Sequence, residues 1–288
     1  MKIITIATDL THPFLVRLLN PSCEAVDLEL VVLHPEQSAY QFADKRRMLA
    51  EQLLRVAARD ELVVVTDAYD ALFIRGQRHL EAGYERYDQP VVFSGELNSW
   101  PLGPVGMALH PGPPAGRYPY INTGGLIGPA GDIHDLCVKY AKAPTDQFEL
   151  LVHLQAHGYR YHEQFSWSDQ YHWTLVSLLE REMVGIDHDA AMFECFGPVI
   201  PDVVYSEVMR DVHDFAERGV ESDAYQRERD ELLARLEVPS GAAHLHFAGS
   251  ITKAATLEFL DTEQLPEWLS VAYAAGPTPV RPGQIVRI

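Results

Sequence analysis

Four short apolar runs rich in β-branched residues, Ile3 to Thr8, Leu28 to Leu33, Leu62 to Thr66 and Val91 to Phe93, punctuate the first third of the chain. They are too short for helices, and their unbroken apolar character suits strands buried on both faces. Between the second and third runs, residues 43–59 place Leu49, Leu53, Val56 and Ala57 at helical spacing. Lys45, Arg46, Arg47, Glu51 and Arg59 are then available for the solvent side of that helix. Strand, helix and strand in succession predict a parallel α/β sheet. Residues 98–120 cluster Pro and Gly without periodicity and read as a long loop, which in a compact domain is usually functional. Beyond it, residues 145–157 and 168–182 read as helices, the second with Ser168 as its N-cap. Val204, Val208, Val212 and Phe215 mark one face of a further helix, and residues 221–236 form another, highly charged one. No repeat, low-complexity tract or polar linker divides the chain, so a single domain over residues 1–288 is expected.

Composition narrows the partners. The 288 residues carry 41 acidic against 23 basic side chains, a formal net charge of -18, with 47% hydrophobic and 22% charged residues. That is the balance of an ordinary globular chain. A bare electrostatic grip on nucleic acid or an anionic membrane needs the opposite charge excess. Cys23, Cys137 and Cys195 are too few and too scattered for a disulfide framework or a zinc pattern, and are read as buried thiols. The apolar start, MKIITIATDL, reaches Asp9 before the length of a signal h-region, and no stretch approaches the roughly 20 apolar residues of a membrane span. A soluble, cytoplasmic protein without a membrane partner is expected.

The segment most informative about chemistry is ELVVVTDAYDALFI, residues 61–74, in which a buried strand runs into two carboxylates, Asp67 and Asp70. Ligands of open α/β sheets bind outside the carboxyl ends of strands, where this pair falls. Two hard oxygen ligands on one turn can hold a divalent cation that also meets a substrate's phosphates, or the pair can be a turn and a helix cap. There is no G-x-G-x-x-G after a strand, no G-x-x-x-x-G-K-[ST] and no H-E-x-x-H, so nicotinamide, P-loop and zincin chemistries lose their main support. Gly124, Gly125 and Gly128 in YINTGGLIG lack dinucleotide spacing and read either as a tight turn or as a close approach of backbone to a sugar or phosphate.

Seven segments, IITIATDLTHPFLVRLL, VVVTDAYDALFI, VVFSGELNSWP, YINTGGLIG, SWSDQYHWT, IDHDAAMFECF and HLHFAGSITK, occur in the order seen in one family. Together they resemble the glycosyltransferase domain of the procollagen lysyl hydroxylases, and the matches run from about residue 2 to about residue 270. The resemblance implies a GT-A type fold, a Rossmann-like, mostly parallel sheet flanked by helices, with a nucleotide-binding half over about residues 1–130 and an acceptor-side half with the metal histidine segment over about 131–288. It implies transfer of a hexose from a UDP-sugar to a hydroxyl acceptor with Mn²⁺, or Mg²⁺ in its place. Asp67, Asp70 and His246 would hold the metal, and an imidazole beside two carboxylates favours Mn²⁺. Thr8, Lys45, Tyr69, Gly249 and Lys253 would bind the donor, Lys45 near its phosphates and Tyr69 beside the nucleotide. Trp100 would offer a platform to the sugar, Asn122 would bond donor hydroxyls, and Asp169 would face the transferring sugar. This chain departs from the family in three places: the acidic run shrinks to Asp169, the Gly-rich stretch before Lys45 is absent, and Ala248 replaces an Asn. A free-standing transferase is therefore expected, with residues 98–120 as a lid and a hydroxylysyl-like group or small metabolite as acceptor. Two alternatives are the same chemistry on a hydroxymethylated pyrimidine of viral DNA, which the charge disfavours, and a non-catalytic nucleotide- or metal-binding protein.

Overall fold

Successive residues of the apolar runs enter opposite cores, as a strand's two-residue period requires. Ile3 packs with Val32, Val64 and Val92 on one side, while Ile4 packs with Leu33, Val65 and Phe93 on the other. The computed structural model describes residues 1–35, 40–110, 116–198, 205–273 and 276–288. Its strands are β1 (Lys2–Ile6), β2 (Glu29–His34), β3 (Leu62–Asp67), β4 (Ala71–Phe73), β5 (Val91–Glu96), β6 (Tyr120–Pro129), β7 (Val184–Asp187), β8 (Phe193–Cys195), β9 (His244–His246) and β10 (Ile285–Arg287).

The central sheet runs β10-β2-β1-β3-β6-β5-β7. All its pairings are parallel except those of β6, which is antiparallel to β3 and β5. On one face, the helix Asp44–Val56 buries Leu49 and Leu53, and Ala130–Lys139 buries Ile133 and Leu136. On the other lie Asn20–Ala25 and Gln77–Tyr84, which contribute Cys23 and Leu80. The mostly parallel α/β architecture expected from the sequence is thus observed. A small sheet, β4-β9-β8, brings the C-terminal third back to the end of β3, pairing Ala71 with His246. Cys23, Cys137 and Cys195 are free and buried, and burial pushes the Cys137 thiol up to about 12.

Several sequence expectations are corrected. Lys45 and Arg46 are buried, at 4% and 7% exposure, because their charges turn inward to Asp67 and Asp169, while Arg47 stays exposed. The glycines of YINTGGLIG belong to no turn: they lie inside β6. A Cβ on Gly124 would lie 2.2 Å from the His246 ring, and one on Gly125 would lie 2.8 Å from Phe193, so the close approach is to the protein's own side chains. Within the expected loop, Pro104–Leu109 is a helix and Tyr120 opens β6, while residues 111–115 fall outside the described residues. The expected helix over 145–157 is a 3-10 turn, Thr145–Gln147, followed by Glu149–Ala156. The helix predicted from Val208, Val212 and Phe215 spans Tyr205–Arg218, and Val204 lies outside the described residues.

Candidate active site

Adjacent strands β1 and β3 end together, with Ile6 opposite Asp67, so the turns that follow them face one cleft. Asp67 closes β3, and Asp70, three residues on, immediately precedes β4. Asp70 accepts nothing at Oδ1, yet its backbone carbonyl holds the Phe247 N–H at 2.7 Å, which locks the β9 end beside it. His246 Nε2 then lies 3.5 Å from Asp70 Oδ1 and 3.8 Å from Asp67 Oδ2. One ligand atom from each of these three residues lies within 4.8 Å of the others. Two hard oxygens and one imidazole nitrogen, with a buried carboxylate oxygen lacking a hydrogen-bond donor, fit a divalent cation.

Asn122, on β6, holds His246 in place: its Oδ1 is 2.9 Å from His246 Nδ1 and also accepts from the Gly124 N–H at 2.9 Å. Because that amide oxygen can only accept, it calls for the Nδ1–H tautomer and leaves Nε2 for the carboxylate side. The sequence reading expects Asn122 on donor hydroxyls; in the structure its oxygen meets His246 Nδ1 while the residue also lines the cleft. Asn122→Ala is therefore expected to weaken Mn²⁺ binding by about 10- to 100-fold with the fold retained, as for other outer partners of metal ligands. Electron paramagnetic titration of free Mn²⁺ checks this, and unchanged affinity would show that Asn122 does not orient the histidine.

The electrostatics are tightly paired. Lys45, expected beside phosphates, donates to Asp67 Oδ1 at 2.8 Å and to the Thr123 carbonyl at 2.8 Å. Burial works against its charge, but Asp67 and Asp169 more than offset it and its pKa is raised. Burial likewise opposes ionisation of Asp70, yet His246 and Lys253 hold its carboxyl well below the usual range. Lys253 Nζ sits 3.3 Å from Asp70 Oδ2, one turn into the helix Ser250–Asp261. Gly249, at φ +98°, caps that helix in a conformation that disfavours side chains, and it lines the cleft. On the far side of the cluster, Tyr69 Oη accepts from the Asp9 N–H at 2.6 Å and lies 3.2 Å from Thr8 Oγ1.

A cleft of about 460 Å³ opens from the carboxylate cluster. Asp70, His246, Trp100, Asn122 and Asp169 all line it. Ser168, as expected, caps the helix Asp169–Leu179 by accepting from Tyr171 N. The Asp169 carboxylate is consequently not needed as the cap. Its Oδ1 accepts from Arg46 at 2.7 Å, and its Oδ2 is buried without a partner. Burial raises the Asp169 pKa, with Lys45 and Arg46 opposing. Trp100 stacks on Tyr205 at 5.5 Å.

Sequence reasoning alone misses the roles of Arg46, Glu96 and the apolar side of the cleft. Glu96 ends β5 in the VVFSGELNSWP segment and is buried, accepting from Gln170. Burial pushes its carboxyl up to about 8. A carboxyl whose folded pKa exceeds its unfolded value stabilises the protein fully below the unfolded pKa and loses that contribution as pH rises through the folded one. In metal-free protein, stability should fall between about pH 4.5 and 8, and Glu96→Gln should flatten that fall by on the order of 2 kcal/mol. Urea titrations across this pH range measure it; identical profiles would mean Glu96 is ionised throughout.

A mostly parallel α/β sheet with two carboxylates and a histidine at its strand ends, opening into a cleft lined by Trp100 and Asp169, is the arrangement that the sequence resemblance implies. The family model described as the PLOD GT domain matches residues 1–151, more than half of the chain. The protein belongs to this family, the glycosyltransferase domain of the lysyl hydroxylases. Solved structures similar to it include two transferases. The apo form of mouse xyloside xylosyltransferase 1 is 12% identical, with 86% of this chain and 96% of that chain covered and a TM-score of 0.39. A glycosyltransferase involved in the glycosylation of the major capsid of PBCV-1 is 11% identical, with 89% and 98% covered and a TM-score of 0.39. No curated protein matches the chain. Among the described residues, no helix is long and apolar enough to cross a membrane.

Proposed function

We propose that this protein is a metal-dependent hexosyltransferase that takes a UDP-sugar as donor and passes its sugar to a hydroxyl acceptor. The observation that carries the reading is the Asp67, Asp70 and His246 cluster at the strand ends, with ligand atoms within 4.8 Å of one another and Asp70 Oδ1 free of hydrogen bonds. These residues would hold Mn²⁺, or Mg²⁺, and a cation there offsets the charge that gathers on a departing diphosphate. The helix N-terminus at Gly249 and the Lys253 ammonium favour the same anionic group. Tyr69 and Thr8, joined by their hydroxyls, flank the cluster on the nucleotide side. Lys45 acts one step back, orienting Asp67 through its hydrogen bond.

Trp100 offers an aromatic face to the apolar side of the hexose. Asp169 Oδ2, with no partner of its own, faces the positive charge that develops at the anomeric carbon as its bond to the diphosphate breaks. Residues near Trp100 act as a lid that excludes water, through the stack on Tyr205. Incubation with Mn²⁺ and a mixture of UDP-sugars, read by mass spectrometry for free UDP and for hexose addition to alcohols, tests the proposal. Release of UDP from one donor and a hexose mass increment on an acceptor are expected. Intact donors throughout, with properly folded protein, would reject it.

A further inference from the structure

The helix Tyr205–Arg218 carries Tyr205, Val208, Met209 and Val212 on one face at helical spacing, yet buries none of its residues. Tyr205 packs beside Phe165 and Phe215 stacks on Tyr225, but Val208, Met209 and Val212 between them join no core cluster of the described residues, and such a stripe needs another use. Val208, Met209 and Val212 line the cleft, as does an equally uncharged pair, Phe42 and Trp167, whose rings are 6.4 Å apart. Phe42 is 57% exposed, an unusual state for a large aromatic side chain. The helix's charged residues Glu207, Arg210, Asp211 and Asp214 do not line the cleft, and Asp211 and Asp214 are paired with Arg227 and Arg218.

Among the described residues, the carboxylates on the polar side of the same cleft already have partners. Asp67 is held by Lys45, Asp70 by Lys253 and Asp169 by Arg46. Glu96 is buried against the Gln170 amide. A chain of net charge -18 has many carboxylates with which to build a cation site, but among the described residues Asp67, Asp70 and Asp169 at this cleft are each paired with a cation. An ammonium group seated on the apolar side would lose its water and meet no counter-charge from Phe42, Trp167, Val208, Met209 or Val212.

We propose that the acceptor is an uncharged alcohol with an apolar carbon skeleton, held against Phe42, Trp167, Val208, Met209 and Val212, which select it over a cationic hydroxylysyl side chain. This rests on the transferase reading above and names its acceptor class. In the transfer, the acceptor oxygen bonds the anomeric carbon, and the bond from that carbon to the diphosphate oxygen breaks with its electron pair leaving on UDP. The hydroxyl proton passes to that diphosphate oxygen and on to water.

The test uses the full chain with Mn²⁺ and the UDP-sugar that it hydrolyses, and compares propanol, butanol, pentanol, hexanol and phenylethanol with hydroxylysine amide and glucose. Acceptor-stimulated UDP release is expected for the apolar alcohols, with KM falling about fourfold for each added methylene. Met209→Ser and Val212→Thr should each raise the hexanol KM about five- to tenfold, the rise falling on the acceptor KM and not on that of the donor. A KM flat along the series, preference for hydroxylysine amide or glucose, or serine and threonine variants that behave as wild type would overturn the proposal. Donor hydrolysis that no alcohol accelerates would overturn it alone, whereas absence of both UDP binding and donor hydrolysis would remove the transferase reading with it.

Discussion

Asp169→Asn is expected to lower kcat by about 10²- to 10³-fold, the range seen when one group aimed at developing charge is removed, and to leave UDP affinity nearly unchanged. Two structural roles compete with this catalytic one. Helix capping is excluded by geometry, because Ser168 supplies the cap. The ion pair with Arg46 is the serious rival: both partners are buried, at 9% and 5% side-chain exposure, so losing the carboxylate leaves a guanidinium with only an amide to bond. Breaking such a pair destabilises on the order of 3 kcal/mol. Kinetics therefore have to be read below the variant's melting temperature. Arg46→Met combined with Asp169→Asn separates the roles, since removing both charges should recover much of the stability. If turnover recovers with stability, Asp169 serves the fold; if turnover stays low in the restored protein, Asp169 serves the reaction.

The second large effect is expected at the metal cluster. Asp70→Asn should weaken Mn²⁺ binding by about 10²-fold or more, since one of two ionised ligands is lost from a partly buried site where charge is weakly screened. UDP binding should lose its response to Mn²⁺ in step. Asp70 is the better position to vary, because its cationic partner Lys253 is one-third exposed and can turn to solvent. Asp67 is less clean: Lys45 is buried at 5% side-chain exposure and would keep only the Thr123 carbonyl. Competition between Mn²⁺ and a fluorescent chelator gives the affinity, and retention of wild-type affinity by Asp70→Asn would exclude this residue as a ligand.

The sheet was legible because unbroken runs such as LVVVT can be buried only as strands. The site was legible where its residues fall in ordered motifs, as Asp67, Asp70 and His246 do, even though β9 returns from the far end of the chain to place the histidine. β6 was hidden because Asn122 to Gly125 interrupt its apolar residues, and glycine disfavours strands unless a close neighbour demands it, here the His246 ring. A one-dimensional helical pattern puts Lys45 and Arg46 in solvent because it cannot register that carboxylates from β3 and from the helix Asp169–Leu179 lie beside them. Glu96 carried no signal of burial in its local sequence. The stripe of Val208 and Val212 was read correctly as a helix face, but periodicity does not say whether such a face meets a core or a cleft.

The central claim is that Asp67, Asp70 and His246 build a metal site that binds the donor's diphosphate. Calorimetric titration of UDP into the wild-type protein, once with Mn²⁺ and once with a chelator, tests it most directly. Tight binding with Mn²⁺ and a loss of about 10-fold or more without it is the predicted result, as expected when a cation that fixes two phosphates is withdrawn. Equal affinity in both titrations would contradict it.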